Sequence, residues 1–566
     1  MDLDNDRLAI LAVEGHLLIS GGPGCGKTTI ALLKAKAGVA ELKVEQKVLF
    51  LSFSRAAVRQ ITDRMSGLLN RSVRQRLEVR TFHAFFMDVV KSHGRLRTGL
   101  PSAFITPDRE HQLRADFDGD WTVETLRMAQ EEGRYVFDLL AWTAATLFEE
   151  YPKLAALYSD TYPTVIVDEF QDTNEDQWRA IKALSHASTI ICLADPDQRI
   201  FDYVPGVDEL RIQHAMDFLN PRSFDLSKDN HRSPGNGLLA YANAVLNNDP
   251  TVPVPNDVTI GTYTWPSSVE TRIHQYLIAL RDYLQKKLDT EPTIAVLAPT
   301  NALVGRLSEA VSTDAEINGT VYPAVEHELH LDQDLASTAA YAVASIMEWP
   351  GLRHEDALLA TLEAVCDYFR VKATKTSGAK STVRTLERAL TALKSNTTIR
   401  AKTATVLLKA QAEGIQLSGN PVQDWQLARA RLTGSAELSE LFAKARLVRL
   451  LKATDAIGRA LIDTWDGNAY IDAAAVVRRV LANRMIDENR FEEAAHVSFM
   501  NMHKSKGKEF DGVIIAETKF GRDQLIDPSS SDSDIRARRR LLRVAITRAR
   551  HHVVIVRHAT QPPLTS

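Results

Sequence analysis

The sequence predicts an α/β protein built on two domains with parallel β-sheets, each domain interrupted by a mostly helical insertion. Three observations carry that expectation. Short apolar runs recur in two clusters, helical stretches lie between them, and one long segment loses the strand-like runs almost entirely. The first cluster is Leu17-Leu18-Ile19, Val48-Leu49-Phe50-Leu51, Val165-Ile166-Val167 and Ile190-Ile191-Cys192-Leu193. The second is Ile294-Ala295-Val296-Leu297, Val513-Ile514-Ile515 and Val553-Val554-Ile555-Val556. Runs apolar on both faces are what a parallel sheet covered by helices requires. The stretch 28–40 reads as one of the covering helices.

In chain order, residues 1–90 and 135–221 are expected to form the first α/β domain, with a small helical insertion at 91–134. Residues 222–321 and 485–566 form the second. The segment 322–484 between them reads as all-helical, because Leu438, Leu441, Phe442, Ala445, Leu447, Leu450 and Leu451 recur at helical spacing. The turn-forming run Pro528-Ser529-Ser530-Ser531-Asp532-Ser533-Asp534 has nothing apolar to bury and reads as a flexible loop.

Bulk properties bound the function. A chain of 566 residues holds three or four domains at roughly 150 residues each. Its net charge of -4 shows no global basic excess, so any nucleic-acid surface is local. Cys25, Cys192 and Cys366 make neither a disulfide framework nor a zinc-ligand spacing. The N-terminus is acidic (Asp2, Asp4, Asp6), the reverse of a signal peptide, and no apolar run has membrane-spanning length. The expectation is a cytoplasmic, soluble protein without a membrane partner.

The chemistry begins at Gly21-Gly22-Pro23-Gly24-Cys25-Gly26-Lys27-Thr28, followed by Thr29. It fits G-x-x-x-x-G-K-T between a strand and a helix, the setting of a phosphate-binding loop. The glycines let backbone N–H groups curl around phosphates, Lys27 adds a point charge, and the Thr28 hydroxyl suits Mg²⁺. Cys25 occupies a spacer position. Downstream, Asp168-Glu169 follows a buried strand, and adjacent carboxylates at a sheet edge are costly without a cation. Asp168 is expected to hold Mg²⁺, and Glu169 to orient and deprotonate a water. ATP binding and hydrolysis follow from this pair of motifs.

Asp168-Glu169-Phe170-Gln171-Asp172 resembles motif II of the UvrD/Rep/PcrA-type superfamily 1 DNA helicases. The other motifs of that family follow in order. Ser52-Phe53-Ser54-Arg55-Ala56-Ala57 resembles motif Ia, and Thr81-Phe82-His83-Ala84 motif Ib. Ala194-Asp195-Pro196-Asp197-Gln198-Arg199-Ile200-Phe201 resembles motif III, and Asn230-His231-Arg232-Ser233 motif IV. Met502-His503-Lys504-Ser505-Lys506-Gly507-Lys508-Glu509-Phe510-Asp511 resembles motif V, and the run Arg540 to Arg550 motif VI.

The resemblance implies two RecA-like P-loop domains in a compact form with reduced accessory regions. It also implies roles. Gln198 senses the γ-phosphate, Arg232 and Arg548 reach it as arginine fingers, and Glu509 with Gly507 approaches the ribose. DNA contacts carry over to Phe53, His83, Phe201 and Tyr203, with Ser54 and Arg55 at phosphates, although Phe53 and Phe201 fit a core role as well. The run Arg536 to Arg540 reads equally as a basic helix end or a phosphate-contacting patch.

Departures are visible too. Residues 1–20 lack the glutamine with which the family reads adenine, and Arg7 or Asn5 lies nearest that place. Val204-Pro205-Gly206 follows Tyr203 where an arginine is common, and Arg543 replaces an aromatic. The chain ends soon after its last apolar run, so no fused nuclease is expected.

The implied activity is that of an ATP-dependent helicase or translocase moving 3′ to 5′ on single-stranded or tailed DNA. The reduced insertions also suit a nucleic-acid-sensing ATPase subunit that works beside a separate nuclease, as in bacterial anti-phage systems.

Overall fold

The computed structural model describes residues 4–106, 109–110, 113–114, 117, 119–200, 206–227, 232–233, 235, 237–317, 319–330, 333–375, 379–445, 456–486 and 496–565. The chain divides into two compact units. One comprises Met1–Pro101, Asp138–His330 and Glu492–Ser566; the other comprises Ser102–Phe137 and Leu331–Phe491.

The first unit holds two six-stranded parallel sheets. In the first, β1 (Leu17–Ser20), β2 (Val48–Ser52), β3 (Leu77–Thr81), β4 (Thr164–Val167), β5 (Thr189–Ala194) and β6 (Arg222–Asp225) lie in the order β3-β2-β4-β5-β1-β6. The second comprises β7 (Val258–Tyr263), β8 (Ile294–Ala298), β9 (Glu328–His330), β10 (Val497–Asn501), β11 (Phe510–Ala516) and β12 (Ala549–His558). Their order is β9-β10-β8-β11-β12-β7.

The apolar runs in the sequence are the interior strands. Buried on both faces, they must be apolar throughout. The strands the sequence does not advertise are mostly edges. Leu77–Thr81, Arg222–Asp225, Val258–Tyr263 and Glu328–His330 pair on one side only and carry polar residues. β10 is the interior exception: it is buried, but Ser498 and Asn501 break its apolar run. The first sheet packs Ile19, Phe50 and Ile166 with Ile30 and Leu32 of the loop-following helix. The second packs Leu297, Val513 and Ile555 with Leu541 and Leu542.

Several local expectations change. The stretch 91–134 is not purely helical: Ala103–Ile105 pairs in parallel with Arg134–Val136. A short strand, Glu328–His330, falls inside the segment read as helical. The run Pro528 to Asp534 is not a simple loop, because its last three residues open a helix, Asp532–Ile546. Ser531 caps that helix by accepting from Asp534 N, and acids occupy its first turn, which is how helix N-termini are satisfied. The Arg536 to Arg540 run therefore lies within the helix. Arg539 is buried and donates to the carbonyls of Val245 and Leu564 at 2.7 Å each.

The second unit is predominantly helical, from Gln333–Met347 and His354–Lys375 to Ala473–Ile486. Its core contains Leu362, Tyr368, Leu407, Trp425, Leu438 and Leu441, with Phe442 packed against it. Leu447, Leu450 and Leu451 lie outside the described residues. Among the described residues no helix is long and apolar enough to cross a membrane.

Candidate nucleotide-binding site

β1 runs directly into the glycine-rich loop, and helix α1 (Lys27–Gly38) follows it. Gly26 precedes the helix at φ 93°, a left-handed conformation that a side chain would strain. No side chain caps this helix, so its first N–H groups remain for a ligand. Cys25 is buried, and a Cβ on Gly21 would sit 2.6 Å from its Sγ. Gly21 is thereby restricted to glycine. Lys27 Nζ donates to the carbonyls of Gly21 (2.6 Å) and Gly22 (3.1 Å). Arg7, near the expected adenine-reading place, is committed elsewhere: it pairs with Asp4 and donates to the Cys25 carbonyl at 2.8 Å.

Asp168 and Glu169 stand at the C-terminal end of β4. Glu169 has φ 51°, a strained conformation for a non-glycine residue, and such strain concentrates at functional sites. Its Oε2 accepts from Gln171 Nε2 at 2.6 Å and lies 3.4 Å from Lys506 Nζ. Lys506 is buried; it also donates to the Gln198 carbonyl at 2.5 Å and to the Asp172 carboxylate. Burial, then the Glu169 charge, raises the Asp168 pKa above the usual carboxylate range. Burial also pushes Glu169 upward, but Lys506, Lys27 and Arg548 outweigh it and hold that carboxylate low. Adjacent carboxylates are thus driven apart, one toward the proton and one toward charge.

Arginines from beyond the first sheet complete the site. Arg548, 2% exposed, donates from Nη2 to Gln198 Oε1 at 3.1 Å. Burial, then the neighbouring Arg232, brings its pKa down to about 9. Arg232 donates to Glu509 Oε1 (2.6 Å) and to the Thr547 carbonyl (2.9 Å), and its buried Nε has no hydrogen-bond partner among the described residues. Arg64 and Arg550 also reach Glu509, at 3.6 and 3.2 Å. Burial would raise Glu509, yet these arginines, Arg232 foremost, hold it at about 2.

These groups surround one cavity of about 320 Å³. Gly22 to Thr29, Asp168, Glu169 and Gln198 line it from the first sheet, Gly507, Glu509, Arg548 and Arg550 from the second, and Arg232 from the connection between the two sheets. The residues expected to act on a nucleotide are therefore brought together. Ala57, Gln60, Ile61 and Arg64 of helix α2 (Arg55–Leu68) complete the wall; the sequence reading gave none of them a place at the nucleotide, nor Lys506, although Ala57 and Lys506 fall within its motifs Ia and V. With its amide oriented by its neighbours, Gln60 donates to Gly507 O (2.8 Å) and accepts from Glu509 N (3.0 Å). The one legible trace was the i, i+4 spacing of Gln60 and Arg64, which puts both on one helix face.

The expected DNA residues are only partly assembled. β2 and β3 end in register, Ser52 beside Thr81, so Phe53 and His83 emerge at one sheet edge. Phe53 is half-buried with its ring 5.0 Å from that of buried Phe82. Ser54 Oγ accepts from Ala57 N at 3.1 Å as a helix cap. Arg55 and His83 are exposed. Phe201, Tyr203, Asn230 and His231 lie outside the described residues.

Comparison with known proteins meets this geometry. The family profile for the UvrD/REP helicase N-terminal domain matches residues 4–131 and 122–207, and that for the UvrD-like helicase C-terminal domain matches 496–556. The chain is 25% identical over 289 residues to the ATP-dependent DNA helicase PcrA of Leuconostoc citreum, covering 43% of this chain and 38% of that protein. It is 24% identical over 296 residues to DNA helicase II of Haemophilus influenzae, covering 44% and 40%. The chain thus matches less than half the length of these two relatives. A candidate ATP-dependent DNA helicase of Bacillus subtilis, YjcD, is 23% identical over 622 aligned positions, covering 98% of this chain and 78% of that protein.

Proposed function

This chain belongs to the UvrD/PcrA-like superfamily 1A helicases, and from that premise we propose that it is an ATP-dependent DNA helicase or translocase moving 3′ to 5′ on single-stranded DNA. Two RecA-like domains would carry the motor, with the domain limits and insertions read from the sequence. The observation that carries the reading is the 3.1 Å bond between Gln198 and Arg548. It joins the two sheets at the cavity that contains the phosphate loop.

The chain's own groups divide the work. Backbone N–H groups of the loop and the Lys27 ammonium hold the β- and γ-phosphates of ATP. The Thr28 hydroxyl and the Asp168 carboxylate form an all-oxygen donor pair that fits Mg²⁺. Among the described residues no cluster of three or more His, Cys, Asp or Glu could cage an ion alone. That suits a cation shared with phosphate and water. Bound there, Mg²⁺ neutralises charge on the phosphoryl group being transferred.

Glu169 accepts the proton of the attacking water, its Oε2 fixed by Gln171 and Lys506. Arg232 and Arg548 present permanent forked charge to the γ-phosphoryl oxygens. Gln198, bonded to Arg548, senses their arrival. Glu509 and Gly507 face the ribose.

Phe53, Arg55 and His83, with Phe201 and Tyr203, would receive single-stranded DNA by stacking and phosphate contact. The free, buried state of all three cysteines suits a cytoplasmic setting.

The test measures ATP hydrolysis with and without single-stranded DNA, then strand separation on 3′- and 5′-tailed duplexes. Stimulation by DNA and a 3′-tail requirement are expected. Hydrolysis indifferent to DNA would refute the motor, and unwinding from 5′ tails alone would reverse the assigned direction.

A further inference from the structure

Helix α3 (Asp532–Ile546) carries a buried arginine that the mechanism above does not use. Arg543 is 3% exposed and sits where the resemblance leads one to expect an aromatic. It faces the first sheet. Its Nη1 lies 3.5 Å from Asp195 Oδ2 and its Nη2 lies 3.7 Å from Asp197 Oδ2. The same Nη2 is 3.8 Å from the place a Cβ would take on Gly22 of the phosphate loop. Its Nε donates to Asn243 Oδ1 at 2.9 Å, which fixes the plane of the guanidinium.

Asp195 is the hub of the turn that carries Gln198. It is 2% exposed. Its Oδ1 accepts from Asp197 N (3.1 Å), its Oδ2 accepts from Gln198 Nε2 (2.7 Å), and its own N–H donates to Gln171 Oε1 (3.0 Å). Gln171 in turn binds Glu169, and Gln198 binds Arg548. A buried carboxylate needs a cation or several donors to be tolerated, and Arg543 is the guanidinium placed against this one.

From these contacts we infer that Arg543 is a positioning residue for ATP hydrolysis. It fastens the Asp195–Gln198 turn to the helix that leads into Arg548, so that Gln198 and Arg548 are presented to the nucleotide as one unit. A network gripped at both ends holds its middle member in a single orientation. An aromatic side chain at 543 could not make the two ionic contacts. The inference rests on the ATPase reading above.

The experiment is steady-state ATP hydrolysis by the full chain with saturating oligo-dT, read as kcat and KM separately. Arg543→Leu is expected to lower kcat at least tenfold while KM for ATP stays within threefold, and Arg543→Lys to recover part of the loss. Asn243→Ala, which loosens the guanidinium from outside the cavity, is expected to lower kcat two- to fivefold. In a Gln198→Ala background, Arg543→Leu should cost less than twofold further, because Arg543 acts through that glutamine.

A folded Arg543→Leu protein with kcat within twofold of wild type overturns the inference, as do additive losses with Gln198→Ala. If Arg543→Leu does not fold, unchanged kcat in both Asn243→Ala and Arg543→Lys overturns it. A wild-type chain without ATP turnover refutes the ATPase reading itself. Turnover that is insensitive to these substitutions refutes only the role of Arg543.

Discussion

Arg232 donates from Nη2 to Glu509 Oε1 at 2.6 Å, so the arginine expected to reach the γ-phosphate rests on the carboxylate expected to meet the ribose. Nucleotide occupancy would compete for both members of this pair. Arg232→Ala is expected to lower kcat by about 10²–10³-fold with a smaller change in KM, the usual scale for removing a charge aimed at a phosphoryl transition state. Arg232→Lys should restore little, since a point charge cannot reproduce the fork. Equal losses in binding and turnover would instead make Arg232 a ground-state contact.

Glu169→Gln keeps the shape of the side chain and removes its basicity. The variant is expected to bind ATP near wild-type affinity and hydrolyse it on the order of 10²–10⁴-fold more slowly. Nucleotide binding by fluorescence and turnover by phosphate release separate the two effects. Turnover at the wild-type rate would remove Glu169 as the base.

The acid stability of the fold should depend on Glu509. Its carboxyl is held at about 2 in the folded chain against an ordinary 4.5. A depressed acid stabilises the fold fully above the unfolded value, and the contribution is lost as pH falls from 4.5 toward 2. Glu509→Gln should therefore melt below wild type at pH 6, with the gap closing as the pH approaches 3. Thermal melts across that range give the comparison, and a gap that widens on acidification contradicts the pairing.

Arg55 and His83 are exposed at the edge where β2 and β3 end. Substituting either with Ala is expected to weaken single-stranded DNA binding severalfold while leaving DNA-free ATP turnover unchanged. For Arg55→Ala the slope of log affinity against log salt should shrink by about 0.7, the loss of one phosphate contact on a single strand. Phe53→Ala tests stacking separately, and a drop in melting temperature without a change in DNA affinity would assign Phe53 to the core beside Phe82.

Removing Mg²⁺ with a chelator is expected to stop turnover without unfolding the chain, since the proposed ion is held by Thr28 and Asp168 together with phosphate and water rather than by the fold's core. Circular dichroism and phosphate release, recorded on the same sample, check both halves of that statement.

The sequence by itself marked the interior strands of both sheets, all but Val497–Asn501, and the glycine-rich loop and paired carboxylates that line one side of the cavity. Val165-Ile166-Val167 had to be buried on both faces, and the spacing of Gly21 to Thr28 pointed to a loop whose backbone can curl around a phosphate, because both follow locally from side-chain type. Edge strands such as Arg222–Asp225 escaped notice because an edge is free to carry polar residues. The helical start at Asp532 was hidden in a run of turn-forming residues, which are also the residues that cap helices.

Other features were decided only by the tertiary structure. Gln60 and Arg64 look like ordinary polar positions on a helix until Glu509, more than four hundred residues away, arrives beside them. Lys506 and Arg543 look like parts of basic runs until the fold buries them against Asp172 and Asp195. A carboxylate and a cation far apart in the chain are coupled only by the distance between them, and that distance is set by how the two sheets pack.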